Sequence, residues 1–146
     1  MGRVKVEFDD LKGVVQKVGS GVVFKDQMNW NKQAYHSSLV TRSHTGNHTL
    51  TAANSGELHI VNASLTMTLP AAATANVGHT YSFLVKGSSA LVINPDSGDK
   101  IVGAGAAGVN DKDVYLGGDG AFIRIVGDGN LGWNIIEVAG TLSRES

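Results

Sequence analysis

Five histidines, His36, His44, His48, His59 and His79, are the side chains in this 146-residue chain best suited to hold a metal or to change charge near neutral pH. His44 and His48 have the four-residue spacing that puts two ligands on one face of a helix. Thr45-Gly46-Asn47 between them opposes a helix, and no nearby carboxylate completes a three-ligand set. No metal site is expected within one subunit; a site on a symmetry axis, with one histidine from each copy, would escape such spacing rules. Gly103-Ala104-Gly105-Ala106-Ala107-Gly108 matches the Gly-x-Gly-x-x-Gly of dinucleotide-binding turns and follows the strand-like Ile101-Val102. That chemistry needs a helix N-terminus after the glycines, whereas Val109-Asn110-Asp111-Lys112-Asp113 leads toward another strand. Asp111-Lys112-Asp113 and Asp128-Gly129-Asn130 offer oxygen ligands but lack the twelve-residue calcium-loop pattern with its distal Glu, so they read as solvated turns. Cysteine is absent, and neither a Gly-x-Ser-x-Gly elbow nor a phosphate-binding Walker loop occurs. The expectation is a non-enzymatic protein without catalytic residues, cofactor or metal.

The elements that would position these side chains are strands. From Thr49 onward short apolar-periodic runs recur: Thr49–Thr51, Glu57–Val61, Leu65–Leu69, Tyr81–Val85, Leu91–Ile93, Val114–Leu116, Phe122–Val126 and Trp133–Ile136. Turn residues separate them at Asn54-Ser55-Gly56, Asp96–Asp99, Gly117–Gly120 and Asp128–Asn130, where most of the 19 glycines are read as turn chemistry. Many short, evenly spaced strands predict an all-β fold, a compact antiparallel β-sandwich or barrel-like body over 44–146. One short helical turn is expected at Pro70–Ala75, with proline at the first helical position. Trp133, Phe122, Phe83 and Tyr81 fall within strand patterns, where core packing is the expected role.

Residues 1–43 read differently, as an extended basic arm. Residues 1–42 hold seven Lys/Arg against four Asp/Glu, and the remainder five against nine. Val4–Phe8 alternates apolar and charged residues, and Val14–Val18 and Val22–Phe24 flank Gly19-Ser20-Gly21, so the arm is expected to contain a β-ribbon. Its cations are too dispersed for a nucleic-acid footprint. Charges interrupt the apolar residues from Arg3 on and no later run is long enough to cross a bilayer, so neither export by a signal peptide nor a membrane partner is expected. The glycosylation patterns Asn47-His48-Thr49 and Asn62-Ala63-Ser64 then read as chance matches. An isolated hairpin is marginal in water, so the arm needs a surface: the body, a sister subunit or another protein. The candidate partner contacts are Arg3, Lys5, Phe8, Lys12, Lys17, Lys25, Met28, Trp30 and Tyr35. For Trp30 and Tyr35, packing against the protein's own body is an equal alternative.

Leu50-Thr51-Ala52-Ala53-Asn54-Ser55-Gly56-Glu57-Leu58, Leu69-Pro70-Ala71-Ala72-Ala73, Tyr81-Ser82-Phe83-Leu84-Val85 and Gly132-Trp133-Asn134-Ile135-Ile136 resemble the β-domain of capsid decoration (auxiliary, or cement) proteins of tailed double-stranded DNA bacteriophages. The likeness spans Thr49–Ile136. It departs from the family's acidic-Ser-Gly turn at its first position, Asn54. The resemblance implies a homotrimer on the capsid exterior that binds the major capsid protein, bridges capsomers and is made in the host cytoplasm. No catalytic residue travels with it. The alternative is a receptor- or glycan-binding head-fibre or tail module, using loop tips at Gly117–Gly120 and Asp128–Asn130.

Overall fold

A computed structural model describes residues 6–9, 13–16, 39–73, 77–130 and 132–146. The chain divides into two units, Met1–Ser38 and Leu39–Ser146. In the first, β1 (Val6–Asp9) and β2 (Gly13–Gln16) form an antiparallel ribbon with Val6 opposite Gln16 and Phe8 opposite Val14. The turn expected at Gly19-Ser20-Gly21 lies outside the described residues.

The second unit holds β3 (Thr41–His44), β4 (His48–Thr49), a 3-10 turn (Ala52–Asn54), β5 (Leu58–Val61), β6 (Leu65–Thr68), β7 (Thr80–Val85), β8 (Ala90–Asn94), β9 (Lys100–Val102), β10 (Val114–Gly127) and β11 (Gly132–Arg144). The sequence reading ended the arm at residue 43, but Thr41–His44 pairs with β5 and the division falls after Ser38. The strands form one nearly closed, barrel-like sheet in the order β3-β5-β7-β10-β8-β6-β4, with β11 on β10 and β9.

The chain alternates between two wings: β3, β5 and β7 stack in one, β4, β6 and β8 in the other, all in parallel. This differs from the antiparallel body expected. A parallel pair needs a crossover, and here the crossover within each wing is a strand of the opposite wing. Three two-stranded coils are thereby stacked with no α-helix among the described residues. Among the described strands of this unit, antiparallel pairing is confined to β10, which meets β11, β7 and β8.

β10 also explains why Gly117–Gly120, expected as a turn, lies inside a strand. Its first half pairs with β8 and its second half with β7. Between them the register against β11 shifts, with Gly118 at φ 101° and Gly120 at φ 76°. Such a bulge inverts the alternation of a strand. Val114 and Leu116 face inward before it, Ala121, Ile123 and Ile125 after it, so one strand buries the correct face in both wings.

The core between the wings is built from alternating inward residues, Val61 on β5, Leu65 and Met67 on β6, Phe83 and Val85 on β7, Leu91 and Ile93 on β8. Trp133 and Tyr81 are wholly buried with rings 5.3 Å apart. Phe122 is the exception among the expected core aromatics: it is only half-buried, with the Arg124 guanidinium 5.6 Å from its ring centroid. The described part of the expected helical turn, Pro70–Ala73, is not helical. Asp99 Oδ2 accepts the Ala72 N–H at 2.6 Å, giving that donor a partner outside any helix.

Candidate interaction surface

β3 and β4 are the two ends of the sheet, and each has only one strand partner among the described residues. Their remaining edges carry backbone donors and acceptors of the kind that recruits another strand. An open cleft of about 650 Å³ lies here, lined by Thr41, Arg42, Ser43 and His44 from β3, His48 and Thr49 from β4, and Thr51 and Asn54 from the following turn. A second free edge runs along β11, which pairs with β9 only from Gly132 to Asn134 on its side away from β10. Ile136 on this stretch is 56 % exposed.

Parallel register decides what faces the cleft. Arg42 pairs with His59 and His44 with Val61, so Arg42 and His44 share the inward face of His59 and Val61. His48 pairs with Met67, a core residue, and so points inward from the opposite wing. The three imidazoles thereby meet where the apolar core runs out. His44 Nε2 lies 3.0 Å from His59 Nδ1, and the His44 ring is 4.9 Å from that of His48. His59 is wholly buried, flanked by Phe83 and Tyr81.

Burial, reinforced by His44, pushes the His59 pKa down to about 4. The His44 pKa is also lowered, first by desolvation and then by His48 and Arg42. Beside them Arg42 Nε donates to Glu57 Oε2 at 2.6 Å and Asn54 Nδ2 to the same oxygen at 3.0 Å. The Arg42 bond holds the Glu57 carboxyl below its ordinary pKa, against its burial. Asn54, the departure from the acidic-Ser-Gly turn, thus takes two roles. Its amide reaches Glu57, and its Oδ1 accepts both the Thr51 N–H and hydroxyl. Tyr81 fixes the same turn by donating its hydroxyl to the Thr51 carbonyl at 2.9 Å.

Among the described residues no group of three or more His, Cys, Asp or Glu side chains could hold a metal ion. The Gly103–Gly108 segment is a tight β-turn: Gly103 and Ala106 exchange backbone hydrogen bonds at 2.9 and 3.1 Å, and Arg144 donates to the carbonyls of Ile101 and Gly103. Loop aspartates act as clasps. Asp128 Oδ1 accepts the N–H groups of Asn130 and Gly132, Asp119 that of Gly87 and Asp111 that of Gly98.

Of the expected arm contacts, Arg3, Lys5, Lys12, Lys17, Lys25, Met28, Trp30 and Tyr35 lie outside the described residues, as does His36. Phe8 falls within β1. What the sequence reading missed was the approach of His44, His48 and His59, because it tested histidine spacing along the chain, while these come from three strands. The available signal was local: His59 has the same parity as the core residue Val61. No protein-family model and no curated protein matches the chain.

Proposed function

We propose that this protein is a non-enzymatic, trimeric decoration protein of a tailed-phage head, binding the major capsid protein on the shell exterior and cementing neighbouring capsomers. The observation that carries this reading is that the end strands β3 and β4 each leave one edge unpaired among the described residues, beside an open cleft. Such edges hold an extended partner through main-chain hydrogen bonds, and three copies in one trimer would convert modest contacts into a persistent clamp. The segments that carry the family resemblance supply much of the core that keeps these edges in place: Leu50, Leu69, Ala72, Tyr81, Phe83, Val85 and Trp133 are all buried.

The test is mass measurement in solution, followed by mixing with expanded, undecorated shells. A trimer that saturates the shell supports the reading; a strict monomer that leaves shells bare overturns it. Deletion of residues 1–38 is expected to leave the body folded, because β3 is retained, and to weaken shell binding at least tenfold through loss of the arms. Sedimentation of shells with the truncated protein reads that loss.

A second reading, a glycan-binding head-fibre or tail module, draws on a shallow groove of about 430 Å³ lined by Tyr115, Gly117, Gly118, Thr141 and Ser143, with Tyr115 37 % exposed. Saturable binding on a glycan array, abolished by Tyr115→Ala, would favour it over the cement.

A further inference from the structure

Three imidazoles gather at the open end, beside strands that bring almost no apolar surface to the core. β3 contributes no apolar side chain to the core, and β4 is two residues long. His44 and His59 sit on neighbouring strands with one short N···N approach between them. Only one proton can occupy that bond. His59 Nε2 is buried with no hydrogen-bond partner. The arrangement that leaves least unsatisfied has His59 Nδ1–H donating to His44 Nε2, with His59 Nε2 bare, since a buried N–H without an acceptor is costly.

A second proton has no good place in this pair. On His59 Nε2 it would create a buried, unpartnered cation flanked by Tyr81 and Phe83 of β7. On His44 Nε2 it would set two N–H groups against each other across 3.0 Å, or force the His59 proton onto Nε2, where the buried N–H has no acceptor. The charged groups around the pair do not relieve this. Arg42 on β3 and His48 on β4 both oppose protonation. Glu57 favours it, but its carboxylate is engaged by Arg42 and Asn54. Moving β3 away from β5 removes the conflict, because both rings then reach water.

We propose that His44 and His59 form an acid-sensitive latch on the open end of the body, which holds β3 against β5 when neutral and releases it when a second proton enters the pair. The inference is independent of what the protein binds. Its direction follows from linkage. His59 has a folded-state pKa of about 4 against an ordinary 6.5, so the closed form is fully favoured above pH 6.5 and loses that advantage as pH falls from there toward 4. At pH 5 the population of the open form should rise roughly thirtyfold over pH 7.5 from His59 alone.

The Leu58 and Asn62 amides report on the latch, since they donate to the carbonyls of Val40, just before β3, and of His44 at its end, at 2.8 and 2.9 Å. Hydrogen exchange of the full-length protein, corrected for the intrinsic effect of pH, should show these two amides losing roughly thirtyfold protection between pH 7.5 and pH 5. The Gly127 and Asp128 amides, which bond His79 and Gly132 at the other end, should keep theirs. Equal protection of Leu58 and Asn62 at both pH values overturns the latch, and so does uniform loss across the body. His59→Phe, which keeps a ring against Phe83 and cannot titrate, should make both amides insensitive to pH. If that variant does not fold, imidazole titration by NMR of the unaltered protein decides: His59 titrating near 6.5 with Leu58 still protected overturns the proposal.

Discussion

The two ends of the coil stack are built on opposite principles. At one end β10 and β11 run antiparallel over fourteen and thirteen residues, and Trp133, Tyr81, Ile125 and Ile101 close the core with almost no exposed surface. At the other, β3 and β4 offer four and two residues, and the inter-sheet space ends in imidazoles, an ion pair and an asparagine. Stacked coils share core only with their neighbours, so a terminal coil must be capped or remain locally weak. The hairpin of β10 and β11 caps one end with hydrocarbon. The polar end is capped instead by imidazoles and by the Arg42–Glu57 ion pair.

The contrast predicts where the body breaks. Trp133→Ala, at the closed end, should cost about 3–5 kcal/mol, because it empties a wholly buried ring site and strips Tyr81 of its stacking partner. Urea unfolding followed by far-ultraviolet dichroism measures it, and a cost under about 1 kcal/mol would mean that this end is not the anchor. Gly140→Val comes next. Gly140 has φ 102° on the β10–β11 ribbon, and a Cβ there would sit 2.7 Å from the Ala121 Cβ. Strain and overpacking should together cost about 1–3 kcal/mol in the same assay.

The smallest effect belongs to the open end. Glu57→Gln keeps an acceptor for Asn54 and Arg42 but removes the charge. Arg42 is half-exposed, so solvent screening keeps the loss well below that of either core substitution. Its pH dependence separates it from the histidines. The folded-state pKa of Glu57 is lowered, so its contribution is present above its ordinary 4.5 and disappears as pH falls through the lowered value. Wild type and Glu57→Gln should therefore differ by a constant amount between pH 5.5 and 8 and converge in stronger acid. Chemical unfolding across that range checks the sign. Divergence on acidification would place the Arg42–Glu57 pair outside the cap.

Much of the strand inventory was legible in the residues. Leu65–Leu69 alternates cleanly, Tyr81–Val85 and Leu91–Ile93 are short apolar runs, and each is a strand within a residue or two of its expected bounds. Asp128-Gly129-Asn130 is the turn that its composition dictates. The Gly117–Gly120 segment misled because glycines with positive φ serve turns and bulges alike, and only the ladders on both sides of β10 distinguish them. Pro70 misled because a proline that can open a helix can equally sit in an irregular segment whose next donors are taken elsewhere, here by Asp99.

The sequence by itself determined that this chain makes short strands joined by turns, and which residues could be apolar core. These properties depend on periods of two and on side-chain chemistry at neighbouring positions, and both are local. Tertiary structure decided that the wings are parallel, that β10 serves both, and that three histidines from β3, β4 and β5 meet at an open end. Pairing partners and register are set by burial and main-chain hydrogen bonding between distant segments. The spacing of His44, His48 and His59 along the chain therefore carries no record of the 3.0 Å approach that links two of them.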